Sequence, residues 1–242
     1  MTQIGFKCDR GVSRANNEDA CFVIPSDDVY IVADGVGGNS SGEVASRTAV
    51  SEIAMTVNDR DMKELKTAND IFEFFGEAIE SANEKIYMMG RKERAYRGMA
   101  TTVVAAYVRK GTIYIANVGD SRAYLLRDDK LSQITRDHTY VNELVEKGVI
   151  TEEEAETHSQ RNVITRALGA DITVTPDFYQ FRVSRGDIVM LCSDGLYGEI
   201  PDEDIMARLS QDRPMSEICQ MLVDEANAQG GRDNITVVCL KI

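Results

Sequence analysis

The sequence predicts an α+β fold: a central sandwich of two antiparallel β-sheets flanked by pairs of antiparallel helices, with a small helical insertion. Three observations predict it. Apolar, β-branched runs of strand length come in groups rather than singly. Helical patterns come in twos between those groups, which disfavours an alternating β-α-β order and a parallel sheet. Finally, two face-to-face sheets with a helix pair outside each would bury every apolar stripe in the chain.

Taken in order, residues 1–40 read as strands joined by tight turns. Residues 41–58 read as a helix, because Val44, Ala45, Thr48, Ala49, Ile53 and Val57 recur at helical spacing. In 69–92, Ile71, Phe72, Phe75, Ala78, Ile79, Ala82 and Ile86 line one face and charges line the other. Residues 101–134 read as a strand meander, turning at Arg109-Lys110-Gly111 and at Arg127-Asp128-Asp129-Lys130. Residues 139–157 are polar and helix-forming, broken into two short helices at Gly148, and 161–169 read as a loop. Strands follow around 173–183 and 187–192. Helices over 201–209 and 214–228 each open on a proline, which suits a first helical turn. Gly230-Gly231 stops the second, and a last strand runs to Leu240.

At 242 residues the chain is one large domain or two small ones, with 43% hydrophobic residues to fill a core. No apolar run approaches the roughly 18 residues that would span a bilayer. Met1 to Arg10 lacks the apolar core of a signal peptide, so a cytoplasmic location is expected. The net charge of −13 argues against nucleic acid and anionic membrane as partners. The five cysteines, Cys8, Cys21, Cys192, Cys219 and Cys239, are odd in number and contain no C-x-x-C, which fits a reducing compartment and no structural zinc. A monomer is expected.

Function is signalled by aspartates at the ends of apolar runs. Val29 to Ala33 ends in Asp34-Gly35, Ile113 to Gly119 ends in Asp120, and Ile188 to Ser193 ends in Asp194-Gly195. Asp233-Asn234 leads into the last strand. Taken singly, each reads more readily as a turn or a connection. Together they are harder to explain as turns, because clustered carboxylates repel unless a cation lies among them. Hard divalent ions accept such oxygens and backbone carbonyls, so the Gly35 carbonyl is a further candidate. Arg14, in Arg14-Ala15-Asn16-Asn17-Glu18-Asp19, offers a planar fork suited to phosphate, or else a surface ion pair with Asp19.

Five short motifs occur in order: Arg14-x-x-x-Glu18-Asp19, Asp34-Gly35-x-Gly37-Gly38, Gly119-Asp120-Ser121-Arg122, Ser193-Asp194-Gly195-Leu196 and Gly231-Arg232-Asp233-Asn234. Each is weak alone. In this order, from about residue 5 to the C-terminus, they resemble the metal-dependent PP2C (PPM) protein phosphatases, which implies a single domain, 1–242. Residues 137–144 with 161–169 resemble the bacterial branch, in which this stretch forms a mobile flap, here about 138–168.

The resemblance implies a serine/threonine phosphatase acting on phosphorylated proteins, with a cognate Ser/Thr kinase among its partners. It implies two Mn²⁺ or Mg²⁺ ions and a weaker third, with a water or hydroxide bridging the core pair and attacking phosphorus. Asp34 would contact both core ions. Gly35 would bind one through its carbonyl, and Asp194 and Asp233 the other. Glu18 and Asp19 would act through water, Asn234 would orient its neighbours, and Asp120 with Asp194 would hold the third ion. Arg14 would grip the phosphate. His138, His158 and Arg161 fall to the flap, where both histidines also read as polar surface residues. Val36 stands where animal and plant members often carry a histidine proposed as general acid. The sequence also admits two other readings: a dedicated regulator of one phosphoprotein, and a non-enzymatic relative that would lack some of these aspartates.

Overall fold

Strands that are apolar on both faces need cover on both faces, and this chain supplies it in four layers. The computed structural model describes residues 2–37 and 41–242, so Gly38 of the second motif lies outside the described residues. Numbering strands along the chain, one sheet runs in the order β1 (Gln3–Asp9), β11 (Ile235–Lys241), β10 (Ile188–Cys192), β7 (Arg122–Arg127), β8 (Lys130–Gln133). The other runs β2 (Asp19–Ile24), β3 (Val29–Val36), β5 (Val103–Arg109), β6 (Thr112–Val118), β9 (Asp177–Arg182), with the short β4 (Ala100–Thr101) beside β3. The ladders are antiparallel.

Strand alternation divides the side chains between layers. From β3, Tyr30 and Val32 join Val104, Ile115, Leu191 and Val238 in the core between the sheets. Val29, Ile31 and Ala33 point the other way, into a second core under α1 (Ser41–Asn58) and α2 (Ala68–Lys92). On β10, Val189 and Leu191 face between the sheets. Ile188, Met190 and Cys192 meet α6 (Asp202–Leu209) and α7 (Met215–Gln229). The sandwich expected from the sequence is therefore present, with a helix pair outside each sheet.

Two expectations are corrected. The 101–134 meander is not one sheet: β6 and β7 lie in different sheets, and the chain crosses between them at Gly119-Asp120. Gly119 makes the crossing with φ +101°, and a Cβ there would stand 2.6 Å from the Thr102 side chain, so only glycine fits. The strand expected over 173–183 is shorter, β9 alone. Before it, backbone groups are taken up by α2 side chains instead of a strand: Asn83 Nδ2 donates to the carbonyls of Asp171 and Ile172, and Val174 N–H donates to Glu80.

The insertion carries α3 (Tyr140–Glu146) and α4 (Glu152–Glu156). Thr139 bridges to Ile164, which joins its two ends to each other, and Thr101 of β4 bridges to Leu168, which ties its far end to the sandwich. Threonines cap both helices: Thr139 accepts from Asn142 N–H, and Thr151 with Glu154 forms a reciprocal capping box.

Candidate metal centre

The topology gathers the predicted carboxylates at one edge of the sandwich. Asp19 opens β2 and lies in register opposite Asp34 near the end of β3. Asp120 sits at the sheet crossing, and Asp233 just precedes β11. Asp194, expected at a strand end, is instead the first residue of a one-turn helix, α5 (Asp194–Tyr197), directly after β10.

Electrostatics records the crowding. Asp34 is pushed well above the usual carboxylate range, first by burial and then by Asp19, Asp194, Asp120 and Asp233. Burial and Asp194 push Asp120 up to about 8. Burial and Asp233 push Asp194 up to about 6, against a hydrogen bond with Asp34. Glu18 is raised by burial, with Arg14 opposing. Asp19 Oδ1 and Asp194 Oδ1 are buried and have no hydrogen-bond partner among the described residues. Orphaned buried carboxylate oxygens are costly, and a hard cation would satisfy them.

The backbone is shaped to the same end. A Cβ on Gly35 would stand 2.1 Å from the Gly42 carbonyl oxygen, so α1 packs directly against this strand end. A Cβ on Gly195 would stand 2.0 Å from the Asn234 carbonyl oxygen, which closes α5 on the Asp233 loop. Asn234 is the joint of the site. It accepts from Glu18 N–H at 2.7 Å and donates to the carbonyls of Arg10 and Asn16 at 2.8 Å each. Ser193 Oγ donates to Asp19 Oδ2 at 2.7 Å and accepts from Thr236 N–H at 2.9 Å. Ser193→Ala orphans both, so we expect a loss of about 1–3 kcal/mol, read as a lower urea midpoint. An unchanged midpoint would show that the serine holds nothing.

Arg14 reaches Asp233 with Nη2 at 2.6 Å and keeps a half-exposed side chain. The ion pair with Asp19 considered from sequence is not formed, because the Asp19 carboxylate is buried against Ser193. Among the described residues, no three His, Cys, Asp or Glu side chains form a ready-made cage. The guanidinium occupies Asp233, and the remaining donors include a backbone carbonyl.

A cleft of about 840 Å³ opens from Asp120, Asp194 and Asp233. Its far wall is the insertion, through Val141, Val145, Ala155, Glu156, Arg161 and Asn162. Arg161 therefore lies where the flap reading put it. His158 does not line the cleft; its Nδ1 accepts from Gln160 N–H.

The carboxylate edge, the arginine beside it and the cleft agree with one family. The sequence model described as Protein phosphatase 2C matches residues 11–236. The chain belongs to the protein phosphatase 2C family. It is 38% identical over 239 residues to the serine/threonine phosphatase Stp of Listeria innocua, covering 98% of this chain and 94% of that one. The Streptococcus agalactiae serine/threonine phosphatase structure superposes with TM-score 0.94 at 34% identity, covering all of both chains. The catalytic domain of the phosphatase PstP, solved in complex with two manganese ions, superposes with TM-score 0.86 at 34% identity, covering 99% of this chain and 97% of that one.

Within this PP2C fold, several site residues carried no role in the sequence reading. Tyr197 donates its hydroxyl to the Asp120 carbonyl at 3.0 Å. The Arg122 guanidinium stacks 3.5 Å above the Tyr197 ring and is forked by Asp137 at 2.6 and 3.0 Å. Glu199 holds the loop before Asp233 through the Arg232 amide and guanidinium. Arg122 was visible in the Gly119-Asp120-Ser121-Arg122 motif; nothing local distinguishes Tyr197 or Glu199. The surface reading of His138 is wrong: it is 7% exposed and both ring nitrogens are engaged. Cys192 is fully buried with its thiol pushed up by burial, as a core residue should be.

Proposed function

We propose that this PP2C-family enzyme hydrolyses phosphoserine and phosphothreonine in proteins with the help of two Mn²⁺ or Mg²⁺ ions and a weaker third. The observation that carries the reading is the crowding of carboxylates around Asp34, with Asp19 in register opposite it and a buried oxygen of Asp19 and of Asp194 left without a hydrogen-bond partner among the described residues. Asp34 would touch both core ions, the Gly35 carbonyl one of them, and Asp194 and Asp233 the other. Glu18 and Asp19 would act through water, and Asp120 with Asp194 would take the third ion. When bound, the ions would supply an acidified water and offset charge on the phosphoryl oxygens.

The chain's own groups do the rest. Arg14 is half-exposed and anchored at one end on Asp233, so its guanidinium is placed to take the phosphate. Asn234 keeps Glu18 facing the site. The cleft admits an extended segment of a protein substrate, with Arg161 on the insertion side and Arg232 on the sandwich side. Neither a cysteine nor a serine nucleophile is needed: Cys192 is buried, and Ser193 is held by Asp19 and Thr236. His138 is not available as the acid for the leaving alkoxide, since both its nitrogens are bonded.

We place the catalytic unit over the whole chain, acting as a cytoplasmic monomer on proteins phosphorylated by a Ser/Thr kinase, the kinase included. The named relatives support this reading, being serine/threonine phosphatases. The Mn²⁺ complex of the PstP neighbour supports the ion pair. No helix among the described residues is long and apolar enough to cross a membrane. The test is phosphate release from a phosphothreonine peptide. We expect release to stop in EDTA and return with excess Mn²⁺; an equal rate in EDTA would overturn the metal reading.

A further inference from the structure

Gly119 directly follows β6 with φ +101°, outside the strand ladders. Its N–H donates instead to His138 Nδ1 at 2.9 Å, and its carbonyl accepts from the His138 backbone N–H at 3.0 Å. The imidazole thus clasps the residue that precedes Asp120. An amide can only donate, so Nδ1 must be the acceptor and the ring proton sits on Nε2. Nε2 then donates to Asp177 Oδ2 at 3.1 Å. Arg166 Nη1 donates to the other Asp177 oxygen at 2.7 Å, and the His138 carbonyl accepts from Thr165 N–H at 2.8 Å. The buried ring therefore joins the Asp120 turn to the start of β9, and the backbone of the same residue joins it to the far end of the insertion.

The other ties on this turn come from the sandwich side. Asn117 Nδ2 donates to the Gly119 carbonyl, Ser121 Oγ bonds Thr102 Oγ1, and Tyr197 donates to the Asp120 carbonyl. His138 reaches the turn from the insertion, through both its ring and its backbone N–H. We propose that His138 is a positioning residue, whose fixed tautomer sets the Gly119 amide and so aims the Asp120 carboxylate into the cleft. This rests on the proposed role of Asp120 at the third ion.

A double-mutant cycle on the full chain tests it, with kcat and KM measured on a phosphothreonine peptide at saturating Mn²⁺ and, without substrate, the Mn²⁺-induced shift in unfolding midpoint, which His138→Ala should lower no further once Asp120→Ala is present. Groups that orient a metal ligand from outside typically matter about 10- to 100-fold. We expect His138→Ala to lower kcat by that factor with KM little changed. Adding it to Asp120→Ala should change kcat by less than about twofold, because both act through one carboxylate. His138→Asn, which keeps an acceptor near the Nδ1 position, should recover most of the rate, and His138→Gln should not. Multiplicative losses in the cycle, or equal rates for the Asn and Gln variants, would overturn the proposal while leaving Asp120 in its role. Full kcat in Asp120→Ala would overturn the reading of Asp120 itself and the proposal with it. Should His138→Ala fail to fold, as judged by its unfolding midpoint, the Asn and Gln comparison still decides.

Discussion

Asp34→Asn is expected to lower phosphate release from a phosphothreonine peptide by about a thousandfold or more. Contacts that stabilise charge at a metal-assisted transition state are worth several kcal/mol, and each ~1.4 kcal/mol is tenfold in rate. The substitution is conservative in shape and changes little else. The Asp34 backbone is held by groups other than its side chain: its N–H donates to Thr102 Oγ1, and its carbonyl accepts from Thr102 N–H and Thr101 Oγ1. The fold should survive. Removing one of several crowded carboxylates should moreover raise the unfolding midpoint of the protein in EDTA. Loss of activity without loss of stability separates a ligand from a structural residue. Activity within tenfold of the parent would remove Asp34 from the centre of the site. A midpoint several degrees lower would make it a structural residue instead.

That prediction was legible from sequence because Asp34-Gly35 follows an apolar strand and faces other strand-end carboxylates. The same logic located Asp194 and Asp233, and the grouping of strands and helices announced the sandwich. Periodicity could not say which strands share a sheet. Alternation shows that a strand has two faces, not which neighbour lies on its edge, so the split of β6 from β7 was hidden. The segment before β9 misled because β-branched residues such as Ile172, Thr173 and Val174 read as strand. Its backbone is satisfied by Asn83 and Glu80 from a helix about ninety residues earlier. His138 misled for a related reason. A histidine in a polar stretch reads as surface, and its burial depends on Gly119 and Asp177, 19 and 39 residues away. Residues that hold others in place leave little local trace, whereas metal-type carboxylates carry their chemistry in their own side chains.

The second large effect is a pH-dependent stabilisation by divalent ions. Asp34 and Asp19 stand well above their ordinary carboxylate range, Asp194 is at about 6 and Asp120 at about 8. Each is raised first by burial and further by neighbouring carboxylates, so the folded protein holds protons that the unfolded chain has released. The stability this confers is fully present below about pH 4. It is lost as pH rises through about 6 and then about 8. In EDTA, the site should therefore weaken the fold progressively across that window. Divalent ions bind the deprotonated carboxylates, so their contribution grows as the protons leave. At a hundredfold excess over Kd, a bound ion adds about 2.7 kcal/mol, or roughly 5–10 °C for a domain of this size. The shift in unfolding midpoint between Mn²⁺ and EDTA should be small near pH 5 and reach that size near pH 8. Carboxylates that arginines hold below their usual range, such as Asp187 with Arg127 and Glu199 with Arg232, tilt the pH profile the other way. They act alike with and without metal, so the difference between the two curves isolates the site. Asp120→Asn should flatten the part of that difference that develops between about pH 6 and 8 while leaving the lower part. A Mn²⁺ shift that is equal at both ends of the range, or larger at the acid end, would mean that the crowded carboxylates are not where the ions bind.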